Sequence, residues 1–171
     1  MIRYRDVSAD DAAALADLHR RTFVETFAHL YRSENLEAFL AKLDEQGFRS
    51  ELLDGEHHVR FAESDGEPIG FVKLGPIMLP VEPLRPALEL RQLYLLKAWQ
   101  GRGIAQALTD WALALARSLG VEELYLSVYA ENDRAKAFYR RYGFRYFAPH
   151  KFMVGEQADE EEIWKLEVAR R

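Results

Sequence analysis

Apolar positions recur along the chain with two different periods, and the switches between them divide it into helices and strands. After Ser8, a residue able to cap a helix, Leu15, Leu18 and Phe23 follow at roughly helical spacing, and Asp10 and Asp11 suit the positive end of the first turn. The spacing predicts a helix reaching about Thr26. A second helix is expected from Ser33, with Glu34 and Glu37 early and Leu36, Phe39, Leu40 and Leu43 as its apolar stripe, interrupted at Gly47. Residues 59–62 and 69–72 then read as two strands closed by an Asp65-Gly66 turn, a pair that favours the tight two-residue β-loop. Gly75-Pro76 and the prolines at 80, 83 and 86 predict an irregular connection before a strand from Leu88 to about Leu96.

The clearest helix carries Ile104, Leu108, Trp111, Leu115 and Leu119 on one stripe and ends at Gly120. Residues 124–130 form a strand by their aromatic and β-branched content, and a last helix is capped by Asn132, stopped at Gly143 and ended by Arg140 and Arg141, which suit its negative pole. Residues 144–154 and 163–168 are expected to be two antiparallel strands joined by an acidic loop. The order β-α-α-β-β-β-α-β-α-β-β describes an α/β sandwich around a mixed sheet and excludes a helical bundle.

Composition narrows the chemistry. The 171 residues suit a single domain spanning 1–171, and 49% hydrophobic with 30% charged residues is ordinary for a folded chain. The absence of cysteine excludes a disulfide, a thiol nucleophile or a cysteine zinc site, and no metal is expected. The N-terminus lacks an apolar signal core and no stretch approaches the length of a membrane span, so a cytoplasmic protein without membrane partners is expected. A net charge of −5 argues against broad nucleic-acid binding and is compatible with a cationic substrate.

Gln100-Gly101-Arg102-Gly103-Ile104-Ala105 lies between a strand and a helix, where glycines permit positive φ and successive N–H groups can converge on an anion. No lysine follows Gly103, against a nucleoside-triphosphate P-loop, and Gly101-Arg102-Gly103 is only half of a dinucleotide fingerprint. A tight turn whose glycines serve only geometry is the plain alternative.

The spacing of Gln100, Gly103 and Ala105 resembles the Gln/Arg-x-x-Gly-x-Gly/Ala pyrophosphate loop of GNAT-superfamily N-acetyltransferases, and residues 132–144 resemble the Asn-x-x-Ala-x-x-Phe-Tyr-x-x-x-Gly-Phe segment of the same enzymes. The resemblance spans residues 88–144, with the two motifs in the family's order and separation. It implies a mixed, mostly antiparallel central sheet flanked by helices, with central parallel strands that splay apart, and a direct transfer of acetyl from acetyl-coenzyme A to a primary amine. It further implies that backbone groups of Leu93 and Leu95 hold the pantetheine arm, that the amides of Gly101, Arg102, Gly103, Ile104 and Ala105 take the pyrophosphate, that Asn132 contacts the coenzyme besides capping its helix, and that Tyr139 protonates the departing thiolate.

The residues themselves leave room for plainer roles. Ala135, Phe138 and Tyr142 share the stripe expected to face the sheet, with Tyr139 at its margin, where it is either a phenol reaching a cleft or a core-edge aromatic. Glu89, eleven residues before Gln100 (100 − 89 = 11), is either the base that takes the amine's proton or the partner of Arg91 in a surface ion pair.

Phe27, His29 and Tyr31 are the residues expected to line the acceptor site, His29 either there or in a loop. Residues 26–31 and 152–157 look like the spermine/spermidine acetyltransferase type, so the acceptor is expected to be a small amine-bearing molecule, a polyamine among them. Glu156, Asp159, Glu160, Glu161 and Glu162 either focus a field on a polycation or form a solvated hairpin end. A protein or peptide amine, or a non-catalytic acyl-coenzyme A sensor, are the alternatives, and dimers are common in such families, so a homodimer is also expected.

Overall fold

A computed structural model describes residues 1–169. The period-two segments assemble into one seven-stranded sheet of order β1-β2-β3-β4-β5-β7-β6, from β1 (Ile2–Asp6), β2 (His58–Ser64), β3 (Glu67–Gly75), β4 (Ala87–Leu95), β5 (Glu123–Tyr129), β6 (Arg145–Val154) and β7 (Gln157–Glu167). Every neighbouring pair is antiparallel except β4 and β5. The Asp65-Gly66 turn closes β2 on β3 as expected, with φ of 50° and 83°.

Helices α1 (Ala12–Phe27), α2 (Ser33–Leu40) and α3 (Glu45–Leu53) cover one face, while α4 (Ile104–Ser118) and α5 (Asp133–Arg141) cover the other. Strand alternation shows the division. Phe71 and Lys73 of β3 meet His19 of α1 and Phe48 of α3, whereas Arg60, paired with Val72, lies over Trp111 of α4 at 5.4 Å. Both faces are filled by large apolar side chains, Phe61 and Phe71 on one and Leu74, Leu108 and Leu124 toward the other.

Three expectations need correction. The second helix is two helices: the break falls at residues 41–44, where the Asp44 carboxylate accepts from the Gly47 N–H at 2.7 Å and starts α3. Gly47 therefore helps begin a helix and does not interrupt one, because a Cβ there would sit 3.2 Å from the capping oxygen. On α4 the buried stripe runs through Ile104, Leu108, Ala112 and Ala116, so small residues face the sheet and Leu119 is left 49% exposed. The acidic segment is strand, since β7 begins at Gln157 after a two-residue turn.

Among the described residues no helix is long and apolar enough to cross a membrane. The α1 face also contains His19, 4% exposed, its ring ~5.5 Å from those of Phe48, Phe71 and Tyr94. Burial, then the nearby charges of Lys73 and Arg20, push its imidazolium pKa down from 6.5 to about 3. Since the folded-state value lies below the unfolded one, stability is full above pH ~6.5 and falls as acid protonates the unfolded chain first. Unfolding free energy should drop by on the order of 3 kcal/mol between pH 6.5 and about 4 from this group alone. Denaturant titrations should show a flatter pH slope over that window in His19→Phe; an unchanged slope would contradict the assignment.

Candidate functional site

The site follows from where β4 and β5 stop pairing. Their parallel register covers only Ala87 with Glu123, Leu88 with Leu124 and Glu89 with Tyr125. Beyond it β4 continues to Leu95 and β5 to Tyr129 without contact across the ladder, so the centre of the sheet splays open, as the motif-bearing strand was expected to do.

Register fixes which backbone groups face this gap. Leu96 donates to Ile69 O at 2.9 Å, in line with the β3–β4 register of Tyr94 with Phe71 and Gln92 with Lys73. In an antiparallel pair such exchanging positions alternate with positions whose N–H and C=O point the other way. Leu93 and Leu95 are those positions, and their backbone groups point at the gap. A bulge between Lys73 and Leu74 leaves Arg91 without a partner on β3 and bends β4 where the pairing with β5 ends.

The loop after β4 makes the second part of the site. Gly101 and Gly103 hold φ of 76° and 77°, Gly103 as the N-terminal residue preceding α4. Among the described residues no acceptor is found for the N–H groups of Gly101 to Ala105, so they form a cradle at the positive end of a fifteen-residue helix. Gln100 braces the cradle, its Nε2 donating to Leu95 O at 3.4 Å while its Oε1 accepts from Arg134 of α5 at 3.1 Å. Arg102 lies over the Trp99 ring at 4.9 Å.

Helix α5 delivers Tyr139. Asn132 caps the helix by accepting from the Ala135 N–H at 3.2 Å. Tyr139 does not sit at the margin of the stripe but is the one buried residue of α5, 9% exposed, while Phe138 and Tyr142 are half-buried, Tyr142 donating to Asp110 of α4 at 2.9 Å. Tyr139 belongs to the buried core, its ring edge-on to that of Phe144 at 5.6 Å. No hydrogen bond is made by the Tyr139 hydroxyl among the described residues, and burial pushes its pKa well above the ordinary phenol value.

Tyr94 of β4 packs against His19 and Phe71 on the α1 face. Burial first, then the charges of Glu161 and Tyr139, push the Tyr94 phenol pKa up in the same way. Phe27 meets Tyr94 and Tyr129 edge-on, each at 6.4 Å, and Tyr31 stacks on Phe23 and donates to the Asp159 carboxylate. His29 is exposed in the turn after α1 and forms no hydrogen bond or ion pair among the described residues. Glu89, 7% exposed at the last paired position, accepts from the Met78 N–H at 2.8 Å and lies 4.0 Å from Arg91 Nε.

Alternation along β7 sorts the acidic run. Glu160 and Glu162 turn to one side, toward Lys151 at 3.3 Å and Lys136 at 3.5 Å, while Asp159 and Glu161 turn to the other, toward Tyr31 and Ser127. The expected solvated hairpin end is thus half buried. Tyr94, Ser127 and Tyr129 went unnoticed in the sequence; the signal available was their alternation on the two strands that flank the gap. Among the described residues no group of three or more His, Asp or Glu is placed to hold a metal ion.

Residues 13–144 match the sequence profile of the Acetyltransferase (GNAT) family. An uncharacterized N-acetyltransferase of Lactobacillus delbrueckii subsp. lactis is 30% identical over 157 residues, covering 91% of each chain. The fold is similar to that of the PaiA N-acetyltransferase of Thermoplasma acidophilum in complex with coenzyme A, with a TM-score of 0.78, 22% identity, and coverage of 98% of this chain and 99% of that one. It is also similar to Arabidopsis thaliana NAA60 in complex with a bisubstrate analogue, with a TM-score of 0.75 and 20% identity over the whole of both chains.

The left-handed conformation at Gly103 penalises any side chain there. Gly103→Ala should cost about 1–2 kcal/mol of folding stability, read as a lower midpoint in urea unfolding. An unchanged midpoint would contradict the strained geometry of the loop.

Proposed function

The chain belongs to the GNAT family of acetyltransferases, and on that premise we propose that it moves the acetyl group of acetyl-coenzyme A directly to the primary amine of a small molecule, polyamines among the acceptors. The observation that carries the donor half is the opening between β4 and β5, with the backbone groups of Leu93 and the N–H of Leu95 turned away from β3 on one wall and the N–H cradle of residues 101–105 beyond them. An extended pantetheine arm fits the first as an added strand and a pyrophosphate fits the second. In this reading Asn132, whose Oδ1 serves the helix, contacts the coenzyme through its amide nitrogen.

The chemistry then falls to groups lining the gap. The neutral amine attacks the thioester carbonyl, the C–N bond forms, the C–S bond breaks, and the sulfur leaves as a thiolate that needs a proton. Tyr139 suits the donor role because its hydroxyl is buried, protonated and without another partner. Glu89 is the proposed acceptor of the ammonium proton, reached through water, since one of its oxygens serves the Met78 N–H and Arg91 is only a distant partner. No cysteine exists to carry the acetyl group, which favours direct transfer.

A small acceptor is favoured over a protein or peptide by the way the acceptor side is closed. Tyr31 is tied to Asp159, and Gln157 Nε2 donates to Leu30 O at 3.0 Å, so the segment that includes Phe27, His29 and Tyr31, the proposed acceptor side, is fastened to the β6–β7 hairpin. A peptide chain would need this segment and the hairpin to stand apart.

Acetyl-coenzyme A turnover over a panel of primary amines tests this reading. Tyr139→Phe should lower kcat by about 10²-fold with little change in affinity for acetyl-coenzyme A. Unchanged turnover would remove Tyr139 as the acid, and binding of the coenzyme without acetylation of any amine would favour the sensor alternative.

A further inference from the structure

We propose that Arg91 anchors a carboxylate on the acceptor, which makes amino acids, acetylated on the amine beside that carboxylate, the preferred substrate class over plain alkylamines and polyamines. The proposal rests on the acetyl-transfer reading above and narrows the small amine of that reading to one that carries an anion.

The first observation is a buried cation without an adequate partner. Arg5, Arg60 and Arg85, with side chains 33%, 26% and 42% exposed, hold Asp11, Asp6 and Glu167 at 2.8, 2.6 and 3.0 Å. Arg91 is more buried than these, at 18%, yet its one carboxylate neighbour among the described residues is Glu89, 4.0 Å from Nε. Its guanidinium makes no hydrogen bond among the described residues, and Glu89 turns an oxygen to the Met78 N–H instead. Taking a guanidinium out of water with its N–H groups unmatched is costly. A carboxylate, which its planar fork takes through two parallel hydrogen bonds, would relieve that cost.

The second observation is where the side chain stands. Tyr129 of β5 meets Phe27 of α1 edge-on, so Tyr125, four residues earlier on the same strand, faces the α1 side as well. Glu89 is the register partner of Tyr125 and shares its side, and Arg91, in contact with the Glu89 carboxylate, lies there too. Regular alternation from Gln92, the partner of Lys73 under α3, would send Arg91 to the opposite face. The extra residue of the bulge turns it back. The guanidinium is therefore held on the acceptor side, two residues past the last β4–β5 pair and next to the proposed base.

That placement suits an amine and a carboxylate borne by one carbon atom. With the carboxylate on Arg91, the amine comes within reach of Glu89 through water, and the guanidinium charge beside it disfavours the ammonium form. The nitrogen passes its proton to Glu89 and attacks the thioester carbonyl; the C–N bond forms, the C–S bond breaks, and the thiolate takes its proton from Tyr139. A plain alkylamine leaves Arg91 unmatched, and a polyamine brings further positive charge against it.

The test compares a panel of L-amino acids with their carboxamides and with spermidine as acceptors for the wild type and Arg91→Gln. The best amino acid should exceed its amide by about 100-fold in kcat/KM with the wild type, mainly through KM, and Arg91→Gln should reduce that ratio at least tenfold. Added salt should reduce it in the wild type. A measurement on the wild type alone guards against a variant that fails to fold: the analogue of the best amino acid with hydrogen in place of the amine should compete with it, and the amide of that analogue should compete at least tenfold less well. Equal use of acid and amide, equal inhibition by the two analogues, spermidine preferred to every amino acid, or a ratio unchanged in Arg91→Gln overturns the anchor while leaving acetyl transfer intact. Failure of the wild type to acetylate any of these acceptors with coenzyme bound overturns the proposal together with the reading it rests on.

Discussion

Parallel pairing between β4 and β5 holds at three positions and then ends, and the rest of the site is arranged around that ending. A continuous sheet would satisfy the backbone of Leu93 and Leu95 internally and leave α5 a flat surface to pack on. With the strands apart, these groups turn away from β3 without a partner on β5, and Leu95 O takes only the Gln100 side chain. The bulge at Arg91 bends β4 at the point where this happens, and the sheet closes again on the far side only through β7, which pairs along the whole of β5.

Electrostatics sets the loop before α4 apart from β7. The loop offers backbone N–H groups and the positive pole of the helix, suited to an anion. On β7 the Asp159 and Glu161 carboxylates accept from the Tyr31 and Ser127 hydroxyls and form no ion pair among the described residues. Burial raises the phenol pKa of both Tyr94 and Tyr139, so each stays a proton donor.

Much of this was legible in the sequence because the informative residues are ones whose backbone or spacing has few alternatives. Gly101 and Gly103 announce positive φ, the Asp65-Gly66 pair announces its hairpin, and Asn132 with Gly143 brackets α5. Residues whose role depends on packing were harder to read. Apolar periodicity set Tyr139 beside the stripe because it reads spacing alone, whereas packing against Phe144 draws the tyrosine into the core. The run from Asp159 to Glu162 read as loop because strands are recognised by apolar alternation, whereas here acids occupy the inward positions. The break at residues 41–44 was hidden by an apolar stripe that continues across it, with the capping role of Asp44 the only local sign.

The central claim is that the gap beside β4 takes the acetyl donor as an added strand. Amide hydrogen exchange at single residues, with and without saturating acetyl-coenzyme A, tests it most directly. The N–H groups of Leu93 and Leu95, unpaired in the free protein, should exchange fast alone and slow markedly with the coenzyme, together with those of residues 101–105, while Gln92 and Tyr94, already paired to β3, change little. Exchange at Leu93 and Leu95 that is slow without the coenzyme, or unaffected by it, would contradict the claim.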